Sequence, residues 1–345
     1  MASSDRVLAA WYARRPTALA VALAPLSGVF AAAVAARRAL YRHGMLRVER
    51  VRAPVVVVGN VTAGGSGKTP LAIALAGALA ERGWHPGFVS RGYGRRSAEA
   101  RIVRPGDAPD DVGDEPLLLA ATGRPVAIGR RRVEAARRLL DTEPGCDRVI
   151  ADDGLQHYQL ARDVEIAAVD DDRALGNGLM LPAGPLREPP SRLRDVDAVV
   201  RLVAGDAWRA AEDPRETLMA HEPVRWRNLA DPARHEDPAT FRPEAAWAIA
   251  GTANPQRFFA LVARLGIDAR TRAFPDHHRY VAGDLALPGA RAILMTAKDA
   301  VKCARWADER CWVLDIRARI DPALVDRIEE KLTWTPSSSR SSSAR

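Results

Sequence analysis

Cysteine is nearly absent: 345 residues hold three, Cys146, Cys303 and Cys311, with no CxxC pair among them. Disulfide scaffolds and zinc clusters need more, so both drop out, and a reducing compartment suits the chain. Each of the three reads as a small buried apolar residue. Excess charge is also missing from most of the sequence. The formal net charge is +8, but the first 52 residues hold nine arginines against Asp5 and Glu49 and carry seven of those charges. The rest is close to neutral, which is not the footprint of a nucleic-acid binder. No repeat of solenoid length is present. With 47% hydrophobic and 27% charged residues, the composition is that of a globular protein with room for two domains.

Charge vanishes altogether between residues 16 and 36, a stretch closed by Arg14-Arg15 and Arg37-Arg38. Its length reaches the roughly 17–25 residues of a membrane-spanning helix. Its composition is weaker for that purpose, mostly alanine interrupted by Pro25, Ser27 and Gly28. Arginine at both ends gives no inside–outside asymmetry. A helix lying in the membrane interface, held to anionic lipid by its arginines, fits these facts best. A true span and a buried core hairpin are the alternatives. Trp11 and Tyr12 sit where interfacial aromatics would help.

The run Pro54-Val55-Val56-Val57-Val58-Gly59 predicts a buried parallel strand. Leu71, Leu75 and Leu79 space a helix over 69–81, and helices at 114–121 and 130–140 alternate with strands at 87–90, 148–151 and 164–169. That alternation predicts an α/β fold: a mostly parallel sheet with helices on both faces. Between 205 and 243 the pattern weakens to a hinge or short antiparallel connector. A second α/β pattern starts at 246, with Asn254-Pro255 as N-cap and first-turn proline of a helix and strands at 292–295 and 311–314. The expected division is an N-terminal membrane-associated segment (1–45), a P-loop lobe (46–204), the connector (205–243), a smaller second lobe (244–335) and a disordered serine-rich tail (336–345).

Thr62-Ala63-Gly64-Gly65-Ser66-Gly67-Lys68-Thr69 nearly matches the P-loop pattern G-x-x-x-x-G-K-[ST], departing only where Thr62 replaces the leading glycine. It follows a strand and opens a helix, as that motif requires. Gly64, Gly65 and Gly67 let backbone N–H groups turn in around phosphates. Lys68 would neutralise β- and γ-phosphate charge, Thr69 would hold Mg²⁺, and the helix start adds its positive end. The metal also needs a carboxylate at the end of a neighbouring strand, where Asp152 and Asp153 stand; solvated loop aspartates are the bland alternative. Such a body argues against a cleaved export signal at the N-terminus.

A phosphoryl-transfer enzyme also needs a group near the acceptor hydroxyl. Asp114 and Glu115 sit at a predicted helix start, where capping and catalysis explain Asp114 equally well. His277 and His278, beside Asp276, are the other candidates for a proton-transfer pair; no third nearby ligand supports a metal there. His157 closely follows the aspartate pair and could face the site, although a single histidine is more often structural.

Taken together these segments resemble the tetraacyldisaccharide 4′-kinase family. The resemblance rests on residues 58–70, Ser90-Arg91-Gly92-Tyr93-Gly94, Gly113-Asp114-Glu115-Pro116, Asp152-Asp153-Gly154-Leu155-Gln156-His157, Leu181-Pro182-Ala183-Gly184-Pro185-Leu186-Arg187-Glu188, Phe274-Pro275-Asp276-His277-His278 and residues 296–302. The family carries threonine at the position of Thr62. The resemblance implies transfer of the ATP γ-phosphate, with Mg²⁺, to the 4′-hydroxyl of a tetraacylated glucosamine disaccharide 1-phosphate, giving lipid IVA. It implies two α/β/α lobes with a β-stranded hinge, on the cytoplasmic face of the bacterial inner membrane. Asp114 becomes the catalytic aspartate, assisted by His277 in preference to His278 and by Lys68. Ala63 to Pro70, Arg187 and Glu188 become nucleotide contacts; Thr69, Glu115, Asp152 and Asp153 the metal site; Arg91, Tyr93, Gln156 and His157 the substrate side. Neither nucleic acid nor an obligate protein partner is expected. Two rivals stand beside this reading: a P-loop ligase or synthetase, and a nucleotide-switched membrane-binding ATPase.

Overall fold

A computed structural model of the chain describes residues 3–13, 15–95, 97–208, 213 and 215–333; the expected serine-rich tail lies outside them. In chain order the elements are α1 (Ser3–Trp11), α2 (Ala18–Arg42), β1 (Val55–Gly59), α3 (Lys68–Glu81), β2 (Pro86–Ser90), β3 (Arg101–Ile102), α4 (Pro109–Val112), α5 (Asp114–Ala120), β4 (Val126–Ile128), α6 (Arg132–Thr142), β5 (Arg148–Asp152) and β6 (Val164–Asp170). There follow β7 (Ala198–Val203), β8 (Glu216–Asn228), β9 (His235–Glu236), β10 (Ala246–Ala250), α7 (Pro255–Arg264), β11 (Ala269–Ala273), β12 (Ala292–Thr296), α8 (Ala297–Cys303), β13 (Cys311–Ile320) and α9 (Pro322–Thr333).

The strands form one sheet in the order β11-β10-β12-β13-β8-β7-β6-β1-β5-β2-β4-β3, with β9 beside β8. β1 lies between β5 and β6, parallel to both. Its successive side chains point to opposite faces. Val56 and Val58 pack with α3, α5 and α9, while Val55 and Val57 pack with α6. Burial on both sides is why this strand reads as an unbroken apolar run. In the second lobe β10 pairs in parallel with β11 and β12. Phe258, Phe259 and Val262 of α7 cover one face there, and Ala300 and Cys303 of α8 the other.

The lobes are joined by β8 and β13, antiparallel from Trp312 opposite Asn228 to Ile320 opposite Met219. The region with the weakest sequence pattern thus contains a 13-residue strand. Val224, 51% exposed, falls between Pro223 and Arg225, which face Ile316 and Asp315 across a bulge. A proline is tolerated at such a break, and the bulge interrupts the period-two pattern. The assignment of 244–335 to the second lobe also needs an amendment. α9 returns to the first lobe, where Leu324, Val325, Ile328 and Leu332 join the core around α3. Arg82 bonds Asp326 and Glu329 (2.5 and 2.6 Å) to close that contact.

α2 begins at Thr17, whose side chain accepts from the Ala20 N–H (3.2 Å), and holds an apolar window of hydropathy 2.1 that is only 11% buried. Val21, Leu26 and Val29 are 57–69% exposed, so the helix is no core hairpin. One side of it is anchored: Ser27 Oγ donates to Met180 O (2.7 Å) and accepts from Ala183 N–H (3.0 Å). Trp11 Nε1 donates to Pro182 O (2.9 Å).

Candidate active site

Parallel pairing of β1 with β5 brings their carboxyl ends to the same edge of the sheet, where ligands of open α/β sheets bind. The loop leaving β1 turns into α3 at Gly67, in the left-handed region at φ 79. A Cβ there would stand 2.8 Å from Met219 Cε and 2.9 Å from Leu202 Cδ2 and push those side-chain ends aside, while the backbone conformation itself calls for glycine. Lys68 Nζ lies 3.3 Å from Gly64 O and 3.6 Å from Asp153. Thr69 Oγ1 donates to Asp152 Oδ2 (2.9 Å), and Pro70 occupies the first turn, where a missing N–H costs little. Asp153 also meets Arg187 at 3.3 Å. The buried Arg132 holds the carbonyls of Asp152 and Asp153 (3.4 and 3.5 Å).

Asp152 is fully buried, and its Oδ1 has no hydrogen-bond partner among the described residues. Burial, then the charges of Glu115 and Asp153, push its carboxyl upward. Asp153 goes the other way: burial opposes its charge, but Lys68, Arg187 and Arg132 outweigh it. An orphaned carboxylate oxygen beside a threonine hydroxyl and two more acids fits a divalent cation. Among the described residues no three His, Cys, Asp or Glu side chains form a cage. Mg²⁺ beside nucleotide needs none, because phosphates and water complete its shell.

On the facing lobe, His277 Nδ1 lies 3.1 Å from Asp114 Oδ2. His278 turns away to Asp284 (2.9 Å) and stacks on Phe274 at 4.6 Å. Asp114 is not a helix cap. Gly113 takes that position, and Asp114 Oδ1 accepts from the Glu115 N–H (3.0 Å). Asn254 does stand at the N-cap of α7 with Pro255 in the first turn, but its side chain makes no cap bond and donates to Asp170 (3.3 Å). Burial opposes the Asp114 charge, yet the His277 hydrogen bond with Lys298 and Lys302 nearby holds its carboxyl at about 2. Burial lowers His277, but its bond to Asp114 wins and the imidazole is raised. Tyr93 lies against that ring, 4.8 Å between centroids.

Lys298 was missed as a site residue. Its Nζ reaches Asp276 (3.0 Å), Glu115 (3.5 Å) and Asp114 (3.9 Å), and Lys302 lies 3.9 Å from Asp114. The signal was scarcity: the chain has four lysines, and Lys68, Lys298 and Lys302 are three of them.

One cavity of about 700 Å³ joins these parts, with Gly64, Gly65 and Lys68 on one side and Glu115, His277 and Lys298 on another. Arg91, Tyr93, Gln156 and His157 line it too, and Phe30, Val34 and Arg37 of α2 form a wall. Gln156 Nε2 donates to Asn60 O (2.9 Å). His157 is lowered to about 3 by burial and then Arg132, so it is neutral near pH 7. Glu188 borders the cavity, but its oxygens are taken by the Tyr158 hydroxyl (2.9 and 2.8 Å) and Arg192 (3.1 Å). Within the loop, Ala63 N–H donates to Pro185 O (2.6 Å), and Ser66 Oγ is buried with no hydrogen-bond partner among the described residues.

The raised His277 predicts a pH dependence. A base raised on folding contributes stability fully below its unfolded value of 6.5 and loses it as pH rises through the folded value. Asp114, lowered from 3.8 to about 2, contributes above 3.8 and loses that only in strong acid. Melting temperature should therefore fall as pH rises from 6.5, by an increment that His277→Asn removes. Parallel pH profiles for the two proteins would contradict the pairing.

The family described as Tetraacyldisaccharide-1-P 4′-kinase matches residues 19–333. A tetraacyldisaccharide 4′-kinase of Aromatoleum aromaticum is 48% identical over 314 residues, 90% of this chain and 93% of its own length. One from an Azoarcus species is 46% identical over 329 residues, 93% of this chain and 94% of its own. Among solved structures, the "apo" form of LpxK from Aquifex aeolicus in complex with ATP superimposes with a TM-score of 0.75 at 27% identity, over 91% of this chain and 99% of that one. With the family match spanning nearly the whole chain, this protein belongs to the tetraacyldisaccharide-1-P 4′-kinase family.

Proposed function

We propose that this enzyme transfers the γ-phosphate of ATP to the 4′-hydroxyl of a tetraacylated glucosamine disaccharide 1-phosphate, giving lipid IVA, at the cytoplasmic face of the bacterial inner membrane. The observation that carries the reading is a cavity lined by the phosphate loop, by His277, which meets Asp114 at 3.1 Å, and by a wall of an apolar, exposed helix. A ligase leaves that wall without a task, and a membrane-binding nucleotide switch leaves the Asp114–His277 pair without one.

The chemistry follows from charge and position. Lys68 and the α3 N-terminus face the phosphates and offset the charge of the transferring group. Thr69 and Asp152 would hold Mg²⁺, with Glu115 and Asp153 flanking it, and the ion when bound supplies further charge neutralisation. A carboxyl held at about 2 is a weak base, so Asp114 acts chiefly by accepting a hydrogen bond from the sugar hydroxyl and aiming it. That suits a loose transition state, in which the proton leaves late. His277 and Lys298 keep Asp114 ionised and fix its orientation. Both come from the second lobe, so bending of the β8–β13 ribbon assembles the acceptor side and excludes water.

The exposed face of α2 lies in the bilayer surface, where the acylated acceptor is found. The test is ADP release from ATP in vesicles with and without a defined acylated disaccharide. Turnover should depend on the acceptor; acceptor-independent turnover sinks the kinase reading. Val21→Glu with Val29→Glu places charge on the outward face without opening the cavity. Co-sedimentation with anionic vesicles should then drop, and unchanged sedimentation would refute the interfacial helix.

A further inference from the structure

Glycines give the phosphate loop its shape and also its looseness, since glycine loses more backbone freedom on ordering than any other residue. Gly64 sits at φ 108, where other residues are strained. Groups outside the loop must hold it. Ala63, just before it, is pinned on both sides: its N–H donates to Pro185 O (2.6 Å), and its carbonyl accepts from the Tyr12 hydroxyl (3.3 Å). Across the loop stands Ala253, between β10 and α7 of the second lobe. Its methyl lies 3.5 and 3.4 Å from where a Cβ would stand on Gly64 and Gly65.

Arg173 joins these two supports. Its guanidinium lies over the Tyr12 ring, 4.7 Å from the centroid, and its Nη1 donates to Ala253 O (2.6 Å). The second lobe answers through Arg257, which bonds Asp170 (2.5 Å) and Asp172 (2.7 Å) just before Arg173. The N-terminal segment, the first lobe and the second lobe therefore meet beside the phosphate loop.

We infer that Arg173 is a positioning residue for the phosphate loop, linking the N-terminal segment and the second lobe to nucleotide binding. It is not among the residues lining the cavity, so it reaches the nucleotide only through Tyr12 and Ala253. Losing it removes a stacked cation and a charge-assisted hydrogen bond together. Because the Gly64 side of the loop is affected and the Asp114 side is not, ATP use and acceptor use separate.

The inference rests on the kinase reading for its kinetic arm, so ATP affinity of the full chain is also measured directly by calorimetry. Arg173→Ala should weaken ATP binding and raise KM for ATP on the order of tenfold, the loss of one charge-assisted hydrogen bond. KM for the acylated disaccharide should move by less than about twofold. Arg173→Lys should recover part of the loss, since an ammonium can still reach Ala253 O. Tyr12→Leu should shift the same quantity, and the double substitution should cost less than the sum of the two. If Arg173→Ala does not fold, Arg173→Lys and Tyr12→Leu carry the test. Unchanged ATP affinity in the folded variants, or both KM values rising together, overturns the inference. Normal ATP affinity changes without acceptor-dependent turnover in the unaltered enzyme would overturn the kinase reading alone.

Discussion

Asp114→Ala should cut kcat by about 10²–10³, the range lost with a preorganised group that aims and hydrogen-bonds the reacting hydroxyl, while leaving ATP affinity within about threefold. The separation follows from the geometry. Asp114 is reached by His277 and Lys298 from the second lobe, whereas the phosphate loop has its own acid partners in Asp152 and Asp153. The substitution has a second effect. It removes the charge that His277, Lys298 and Lys302 share, which weakens the lobe contact although Lys298 keeps Asp276 and Glu115 and Lys302 keeps Asp299. Asp114→Asn keeps the volume and one acceptor oxygen, so it should restore much of any lost melting temperature but little of the turnover. Calorimetric ATP binding, steady-state kinetics and thermal melting together decide. A large loss of ATP affinity with kcat intact would assign Asp114 to the nucleotide side instead.

Lys68→Ala should lower kcat/KM for ATP by about 10²–10³, comparable to removing one preorganised donor from a transition state. Lys68 is buried at the start of α3, its ammonium held by Gly64 O and Asp153. With no other described lysine reaching that loop, its charge is not replaced from nearby. The loss should fall on kcat as well as KM, because charge on the transferring group grows in the transition state. Near-normal kcat/KM in Lys68→Ala would contradict the phosphate-site assignment.

How much of this was legible beforehand differs by element. β1, α3 and the phosphate loop depend on neighbours in sequence: an apolar run, a helical spacing of leucines and glycines at fixed offsets. Local patterns of that kind survive folding. β8 did not announce itself, because its bulge at Val224 and its half-exposed faces break the alternation. α9 was readable as a helix but not in its place, since its core partners in α3 lie about 250 positions away in the chain.

Residue types and spacing alone carried the expectation of a phosphate loop at residues 62–69, next to Asp152-Asp153, and showed a basic, apolar N-terminus. Motif order carried the resemblance to a kinase family. Only the tertiary structure decided which histidine faces Asp114. His277 and His278 are identical as chemistry and adjacent in sequence, but His277 adopts φ 58 and is turned toward the first lobe, while His278 is held by Phe274 and Asp284. Only the structure placed Lys298 beside Asp114 and α2 in the cavity wall. Both depend on how the β8–β13 ribbon and the anchored Ser27 set distant segments against each other, and no local pattern encodes those distances.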